Sequence, residues 1–252
     1  MASKFYVVWQ GRQTGIFTDW ATCKKQIDKF AGARYKSFPT KAEAEAAFGG
    51  KGVTASTGAG KRAIGNNTVK TYSAKEVDAL DAYTKIFTDG GCEPNPGNAG
   101  SGIAVYRDGK ISELWYGLYN PNGTNNTAEL NALHQAMMLA EQELAAGNST
   151  AIFCDSKYSI QCITQWAAGW QKKGWKKAGG EIKNLELIQT MFALYQTLKG
   201  KVQILHVNGH VGVEGNELAD RMSILAIESQ ETEFARYGEP IDIAGLLAMR
   251  NG

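Results

Sequence analysis

Acidic side chains at the ends of apolar segments are the informative exceptions in this sequence, because burying a carboxylate is costly unless a cation or a hydrogen-bond donor meets it. Asp89 ends the run Phe87-Thr88-Asp89-Gly90-Gly91, Asp155 ends Ile152-Phe153-Cys154-Asp155, and Glu129 opens a long helical pattern after Asn125-Asn126-Thr127. Asp220 falls in a helix expected over 217–227, ten residues after His210 in the glycine-bracketed stretch Asn208-Gly209-His210-Val211-Gly212. Strand ends and a helix start can converge at one edge of a sheet. Carboxylate oxygens without clustered Cys or His ligands favour Mg²⁺ or Mn²⁺ over zinc. Two such ions about 3.5–4 Å apart can activate a water and stabilise the leaving oxygen of an in-line phosphoryl displacement, with no protein nucleophile. Taken singly, each acid also has an ordinary structural role: Asp155 could cap the next helix, Glu129 could favour its helix N-terminus, and Asp220 could pair with Lys or Arg.

The elements that must position these acids are legible from period and turn chemistry. Residues 86–88, 102–106 and 111–118 read as three successive strands with Asn/Pro/Gly turns between or after them. A long helix follows over 128–144, with Leu130, Leu133, Met137, Met138 and Leu144 on one side. Residues 151–154 and 202–207 are short apolar strands separated by helical stretches at 157–167 and 181–198. Three antiparallel strands followed by strand–helix alternation predict a mixed α/β sheet. Ahead of it, Phe5 to Trp9, the turn from Gly11 to Gly15 and a helical pattern from Trp20 to Phe30 predict a small β-β-α-β unit over 1–48. Residues 49–83 begin Gly/Ala/Ser/Thr-rich without apolar periodicity and read as a flexible linker, with Ser73 and Glu76 hinting at one capped short helix. Gly60-Lys61 looks like the end of a phosphate-binding loop, but Ala55 takes the place of the first glycine and Arg62 that of Ser/Thr, so no nucleotide site is read there. Beyond the domain expected over 84–230, the extension 231–252 holds an apolar patch from Ile241 to Met249 that should pack back onto it.

Composition narrows the class. The 252 residues hold 27 Lys/Arg, 25 Asp/Glu and 43% hydrophobic residues, enough apolar material for one or two cores and too much for wholesale disorder. Residues 1–48 carry 8 basic against 4 acidic side chains (+4), 49–83 carry 5 against 3 (+2), and 84–252 carry 14 against 18 (−4). A basic front ahead of an acidic back suits an anion-binding module tethered to one whose acids have a local use. No run approaches the ~20 apolar residues of a membrane span, and residues 1–20 resemble neither a signal peptide nor an Arg-rich presequence, which predicts a bacterial cytoplasmic protein with no membrane partner. Four cysteines without a C-x-x-C pair predict reduced thiols.

The back module resembles type 1 ribonuclease H. The resemblance rests on Phe87-Thr88-Asp89-Gly90-Gly91 with Asn95-Pro96-Gly97, on Thr124-Asn125-Asn126-Thr127-Ala128-Glu129-Leu130, on Asp155-Ser156-Lys157-Tyr158, and on Gly209-His210-Val211 with Gly215-Asn216-Glu217-Leu218-Ala219-Asp220, in the family's order. It implies a ribonuclease H-like mixed five-stranded sheet flanked by helices, with Asp89, Glu129, Asp155 and Asp220 as ligands of two Mg²⁺ (or Mn²⁺) ions. It further implies that His210 assists proton transfer or product departure, and that Asn95, Asn125 and Asn126 meet the RNA strand of an RNA–DNA hybrid. Lys157 stands where several relatives have an RNA-contacting glutamine. Gly169 stands where some have an asparagine in a DNA-phosphate pocket, leaving Thr124 of that pair. The stretch from Trp166 to Lys177, four lysines beside three tryptophans, is similar to the family's basic protrusion. By that likeness Lys172, Lys173, Trp175, Lys176 and Lys177 grip the DNA strand, while Trp166 packs inward.

The front module is similar to the small α+β hybrid-binding domain found ahead of some cellular ribonucleases H and in caulimovirus viroplasmin, through Phe5-Tyr6-Val7-Val8, Gly11-Arg12-Gln13-Thr14-Gly15, Trp20, Cys23 and Ala33-Arg34-Tyr35-Lys36-Ser37-Phe38. By that resemblance Trp20 and Tyr35 flank the DNA strand with Tyr6 nearby, and Lys36 with the backbone around Arg34 meets the RNA. The two resemblances cover residues 4–48 and 84–230. The implied activity is endonucleolytic hydrolysis of the RNA strand of RNA–DNA hybrids without a small-molecule cofactor, by a monomer whose front module is the surface through which a dimer would form. An inert hybrid-binding relic would be marked by loss of an acid, and none is lost.

Overall fold

The computed structural model describes residues 5–28, 30, 33–38, 40–49, 69–177, 179–209, 212–238 and 240–252. The chain divides into two compact units between Gly65 and Asn66. In the first, β1 (Phe5–Gln10), β2 (Gly15–Phe17) and β3 (Arg34–Phe38) form an antiparallel sheet in the order β2-β1-β3, joined by α1 (Trp20–Ile27) and α2 (Lys41–Gly49). Neighbouring strand residues point to opposite faces, and both Val7 and Val8 are fully buried, so the central strand is covered on both sides. Asp19 caps α1 by accepting from the Thr22 N–H at 2.8 Å. At the other end the Arg12 guanidinium donates to the carbonyls of Lys25 (2.9 Å) and Asp28 (2.6 Å), satisfying groups the helix leaves open. α2 has no counterpart among the elements expected from the sequence. Its residues are alanine-rich and strongly helix-forming, but alanines give almost no amphipathic contrast for a periodicity to reveal.

The second unit is built on a seven-stranded sheet of order β10-β7-β6-β5-β8-β9-β4. Its strands are β4 (Thr71–Tyr72), β5 (Thr84–Glu93), β6 (Gly97–Arg107), β7 (Lys110–Gly123), β8 (Thr150–Cys154), β9 (Val202–Val207) and β10 (Phe234–Arg236). β5, β6 and β7 are antiparallel neighbours, whereas β5, β8, β9 and β4 run parallel. The expected five strands form the centre, and two short edge strands correct the count: β4 comes from the stretch read as linker and β10 from the extension. The short capped helix expected within the linker stretch is α3 (Ala74–Asp78), whose Ser73–Glu76 capping box is complete and whose Val77 is buried in the core. No helix among the described residues is long and apolar enough to cross a membrane, and all four cysteines are free thiols.

Helices cover both faces of this sheet, which is why its central strands read as unbroken apolar runs rather than alternating ones. Ile86, Ile103 and Ile152 pack against α4 (Asn125–Ala145) and α7 (Leu185–Leu198) through Leu130, Leu133, Met137, Ile188 and Met191. Phe87, Ala104 and Phe153, one residue along, join the opposite core with Leu218, Ala219 and Met222 of α8 (Glu214–Ser229). Leu246 of α9 (Ile243–Leu247) completes that core, so the extension does pack back on the domain. After β8 come α5 (Lys157–Gln161), a π-helical turn over Cys162–Trp166 and α6 (Ala167–Lys172).

One buried acid is purely structural. Glu143 of α4 accepts from Thr84 Oγ1 (2.8 Å), Asn148 Nδ2 (2.8 Å) and Arg107 Nη2 (2.6 Å). Burial works to raise its pKa, but the bonds from Arg107, Asn148 and Thr84 prevail and hold it below the usual range. Glu143→Ala leaves Thr84 and Asn148 without this acceptor and takes from Arg107 one of its two carboxylate partners, Glu113 remaining, and urea denaturation should show a loss of about 2–3 kcal/mol. A loss below about 1 kcal/mol, the worth of an ordinary hydrogen bond, would show that this network contributes little.

Candidate active site

Each of the four acids is delivered by a different element. Asp89 lies within β5, and the next residue, Gly90, faces the start of α4: a Cβ there would come within 2.2 Å of the Glu129 nitrogen. Glycine is thus what allows the first turn of α4 to reach the strand and set Glu129 beside Asp89. Asp155 follows the last residue of β8. It does not cap α5, because Ser156 does so by accepting from the Ser159 N–H at 3.3 Å. His206 holds the Asp155 backbone instead: its Nε2 lies 3.1 Å from the Asp155 carbonyl oxygen and its Nδ1 lies 2.8 Å from Thr71 Oγ1. Burial lowers the imidazole pKa, which favours a neutral ring donating from Nε2 to the carbonyl and accepting at Nδ1 from the threonine hydroxyl. The Asp155 side chain accepts from Asn216 Nδ2 at 3.5 Å. Asp220 is carried by α8, which sits so close to β6 that a Cβ on Gly102 would lie 2.1 Å from the Ala219 carbonyl oxygen.

Together the four line a cleft of about 490 Å³, with Asn125 and residues 90–93 and 250–252 among its walls. Asp89, Glu129 and Asp220 are only 7%, 6% and 3% exposed. Burial, and then the charges of Asp155 and Asp220, push the Asp89 carboxyl well above its usual range. Glu129 is raised by burial, then by Asp155 and Asp89. Among the described residues neither Asp89 nor Glu129 forms an ion pair with Lys or Arg, and Glu129 Oε2 has no hydrogen-bond partner. Asp220, by contrast, does pair with Arg221, the structural role open to it. Carboxylate oxygens of Glu129 and Asp155 and the Cys154 sulfur lie within 4.8 Å of one another. Cys154 is fully buried, and burial with the two nearby carboxylates drives its thiol far up, so the oxygens are the ready ligands. A hard-oxygen cluster with an orphaned buried atom and almost no counter-charge fits a divalent cation.

The other residues singled out in the sequence divide by location. Asn95 accepts from the Asn125 N–H at 3.3 Å, fastening the β5–β6 turn to the start of α4, and Asn126 is exposed beside them. Lys157, Lys172, Lys173, Lys176 and Lys177 are exposed. Trp175 is half-buried: its ring packs edge-on against Phe192, with centroids 6.1 Å apart, which anchors the basic turn, and it lines a surface cleft with Lys176 and Lys177. Trp166 packs on the same core as Phe192, as expected. Gly169 faces open space, but Asn184, at φ 57°, accepts from Thr127 Oγ1 at 3.1 Å, and Thr127 Oγ1 lies 2.8 Å from Thr124 Oγ1. Sequence reasoning misses Asn184, whose only signal is an Asn ahead of an apolar helical run. His210 lies outside the described residues.

In the first unit Tyr6 and Trp20 have ring centroids 5.5 Å apart, and Trp20 and Tyr35 5.9 Å, forming a string of rings with Trp20 and Tyr35 44% and 47% exposed. Arg34 and Lys36 alternate with Tyr35 along β3 and so leave its other face, with Lys36 Nζ over Phe38.

In metal-free protein at pH 8, Asp89→Asn removes one of several mutually repelling buried charges. Its melting temperature should exceed that of the unsubstituted chain, by roughly 2–4 °C for each kcal/mol of repulsion relieved in a domain of this size. A lower melting temperature would contradict the uncompensated cluster.

Comparison with known proteins agrees with this geometry. The family model described as RNase H matches residues 81–228, and that described as Ribonuclease H1 N-terminal domain matches residues 4–48. Ribonuclease H1 of Mus musculus is 30% identical over 254 residues, covering 87% of each chain, and that of Homo sapiens is 31% identical with the same coverage. Ribonuclease H of Thermosynechococcus vestitus is 42% identical over 137 residues, 54% of this chain and 82% of that one. Among solved structures, LC9-RNase H1, described as a type 1 RNase H with the type 2 active-site motif, superposes with a TM-score of 0.52 at 24% identity over 68% of this chain and 83% of that one, a likeness of fold. The chain belongs to the type 1 ribonuclease H family, as an enzyme carrying the family's N-terminal hybrid-binding domain ahead of its ribonuclease H domain.

Proposed function

We propose that this ribonuclease H cuts the RNA strand of RNA–DNA hybrids using two divalent cations, Mg²⁺ or Mn²⁺, held by Asp89, Glu129, Asp155 and Asp220. The observation that carries this reading is the buried acid cluster in which Asp89 and Glu129 are raised by burial and by their neighbours and have no Lys or Arg partner among the described residues. The cations, when bound, supply the Lewis acidity that activates a water and stabilises the leaving oxygen. The chain's own part is placement. Gly90 brings Glu129 to the strand that carries Asp89, Gly102 brings Asp220 to the neighbouring strand β6 opposite Asp89, and His206 and Asn216 fix Asp155 from two sides. By the family resemblance, His210 would assist proton transfer or product departure.

Strand selection would follow from the surroundings. Asn95, Asn125 and Asn126 would present amides to the RNA 2′-hydroxyls, and Lys157, exposed at the start of α5 after Asp155, would meet the same strand. Thr124, Thr127 and Asn184 form a polar trio suited to a phosphate of the DNA strand, while Lys172, Lys173, Lys176 and Lys177 neutralise its backbone. In the first unit the Tyr6–Trp20–Tyr35 rings offer faces to the sugars or bases of the DNA strand, with Lys36 and the Arg34 backbone on the RNA. Tethering that unit raises the effective concentration of hybrid at the catalytic domain and favours several cuts per encounter.

The test is cleavage of a long strand-labelled hybrid with Mg²⁺ or Mn²⁺. Asp89→Asn should lower the rate at least about 10³-fold, the worth of several kcal/mol of charge stabilisation. A chain starting at Asn66, which keeps β4 and α3, should still cut but make fewer cuts per encounter. Cleavage of duplex DNA or duplex RNA in preference to hybrid would overturn the reading. Replacing the four handle lysines with alanine should flatten the dependence of log affinity on log salt by about 0.7–0.9 for each phosphate no longer neutralised; an unchanged slope would remove them from the interface.

A further inference from the structure

The wall of the cleft formed by residues 250–252 is unexplained by the catalytic reading, and it bears on one of the acids. The Gly252 N–H lies 3.1 Å from Asp220 Oδ1 and 3.3 Å from Oδ2. A Cβ on Gly252 would be 2.8 Å from Oδ1, so this backbone lies directly against the carboxylate. Arg221 donates from Nη1 to Asp220 Oδ2 and from Nη2 to the Leu247 carbonyl oxygen at 3.3 Å, linking the same carboxylate to the end of α9. Arg250 pairs with Glu93 at the end of β5, across the mouth of the cleft. The segment is anchored upstream, where Asp242 caps α9 by accepting from the Gly245 N–H at 3.1 Å and Leu246 is buried. Residues 250–252 themselves are exposed and contribute nothing to the core.

A carboxylate has about four lone-pair sites. At Asp220 the guanidinium of Arg221 and the Gly252 amide occupy sites on both oxygens, whereas Glu129 Oε2 has no hydrogen-bond partner among the described residues. A backbone N–H and a divalent cation draw on the same lone pairs. We propose that residues 250–252 form a strap on Asp220 that competes with the divalent cation, so that loading of the site requires the strap to leave. This rests on the reading of Asp220 as a metal ligand.

Mn²⁺ binding to the full chain, counted from the electron paramagnetic resonance signal of the free ion, tests both claims separately. Deleting residues 250–252 should tighten Mn²⁺ binding about tenfold, the equivalent of one hydrogen bond to a charged group. Gly252→Pro, which removes the N–H and sets a Cβ against Oδ1 so that the strap is pushed off, should tighten it about threefold, and Asp220→Asn should weaken it. If Asp220→Asn weakens binding but the deletion leaves it unchanged or weaker, the strap is not a competitor and the metal reading stands. If Asp220→Asn binds Mn²⁺ like the unsubstituted chain, Asp220 is no ligand and the strap proposal falls with that reading.

Discussion

The arrangement of the second unit follows from one electrostatic constraint: several carboxylates are gathered at one sheet edge, three of them nearly out of water, with one guanidinium among them. Such a cluster is unfavourable by itself, since like charges in a desolvated site oppose ionisation. The fold tolerates it because each acid is tied to an element stabilised elsewhere. β5 and β8 lie between two apolar cores, α4 is held by Leu130, Leu133 and Met137, and α8 by Leu218, Ala219 and Met222. Glu143 shows the contrast within the same helix: there an acid is buried with a guanidinium, an amide and a hydroxyl, and its pKa falls instead of rising.

Small residues set the geometry as much as the acids do. Without Gly90 the start of α4 would stand off from β5, and without Gly102 the α8 backbone would stand off from β6. Peripheral pieces then act on the site from a distance. β4 brings Thr71 to His206, and His206 holds the Asp155 carbonyl, so a two-residue edge strand helps place a carboxylate. The extension reaches the same cleft from the other side, through α9, Arg221 and Gly252.

Singly each acid has an ordinary structural explanation, and the four stand out in the sequence as a set through the motifs that carry them, whereas the central strands are legible because their runs are bounded by turn residues. The two-residue β4 and three-residue β10 are too short to show any period, and the alanine-rich α2 has no contrast to show. Residue type does not give the direction of a ring, so the packing of Trp175 edge-on against Phe192 is not legible in the sequence. Asn184 is hidden because its role comes from a fold contact with Thr127, 57 residues away. The Gly252 amide on Asp220 has no signature at all, since a backbone donor looks the same at every position.

The most direct test of the central claim is thermal unfolding as a function of pH, with and without Mg²⁺. Asp89 and Glu129 have folded-state pKa values raised above their unfolded values of 3.8 and 4.5. Their contribution to stability is therefore fully present below those values and is lost as pH rises through the raised ones. A cation that binds the ionised cluster restores it. The stabilisation by Mg²⁺ should be negligible in acid and grow as pH rises; an effect of Mg²⁺ that is absent, or the same at every pH, would contradict the account.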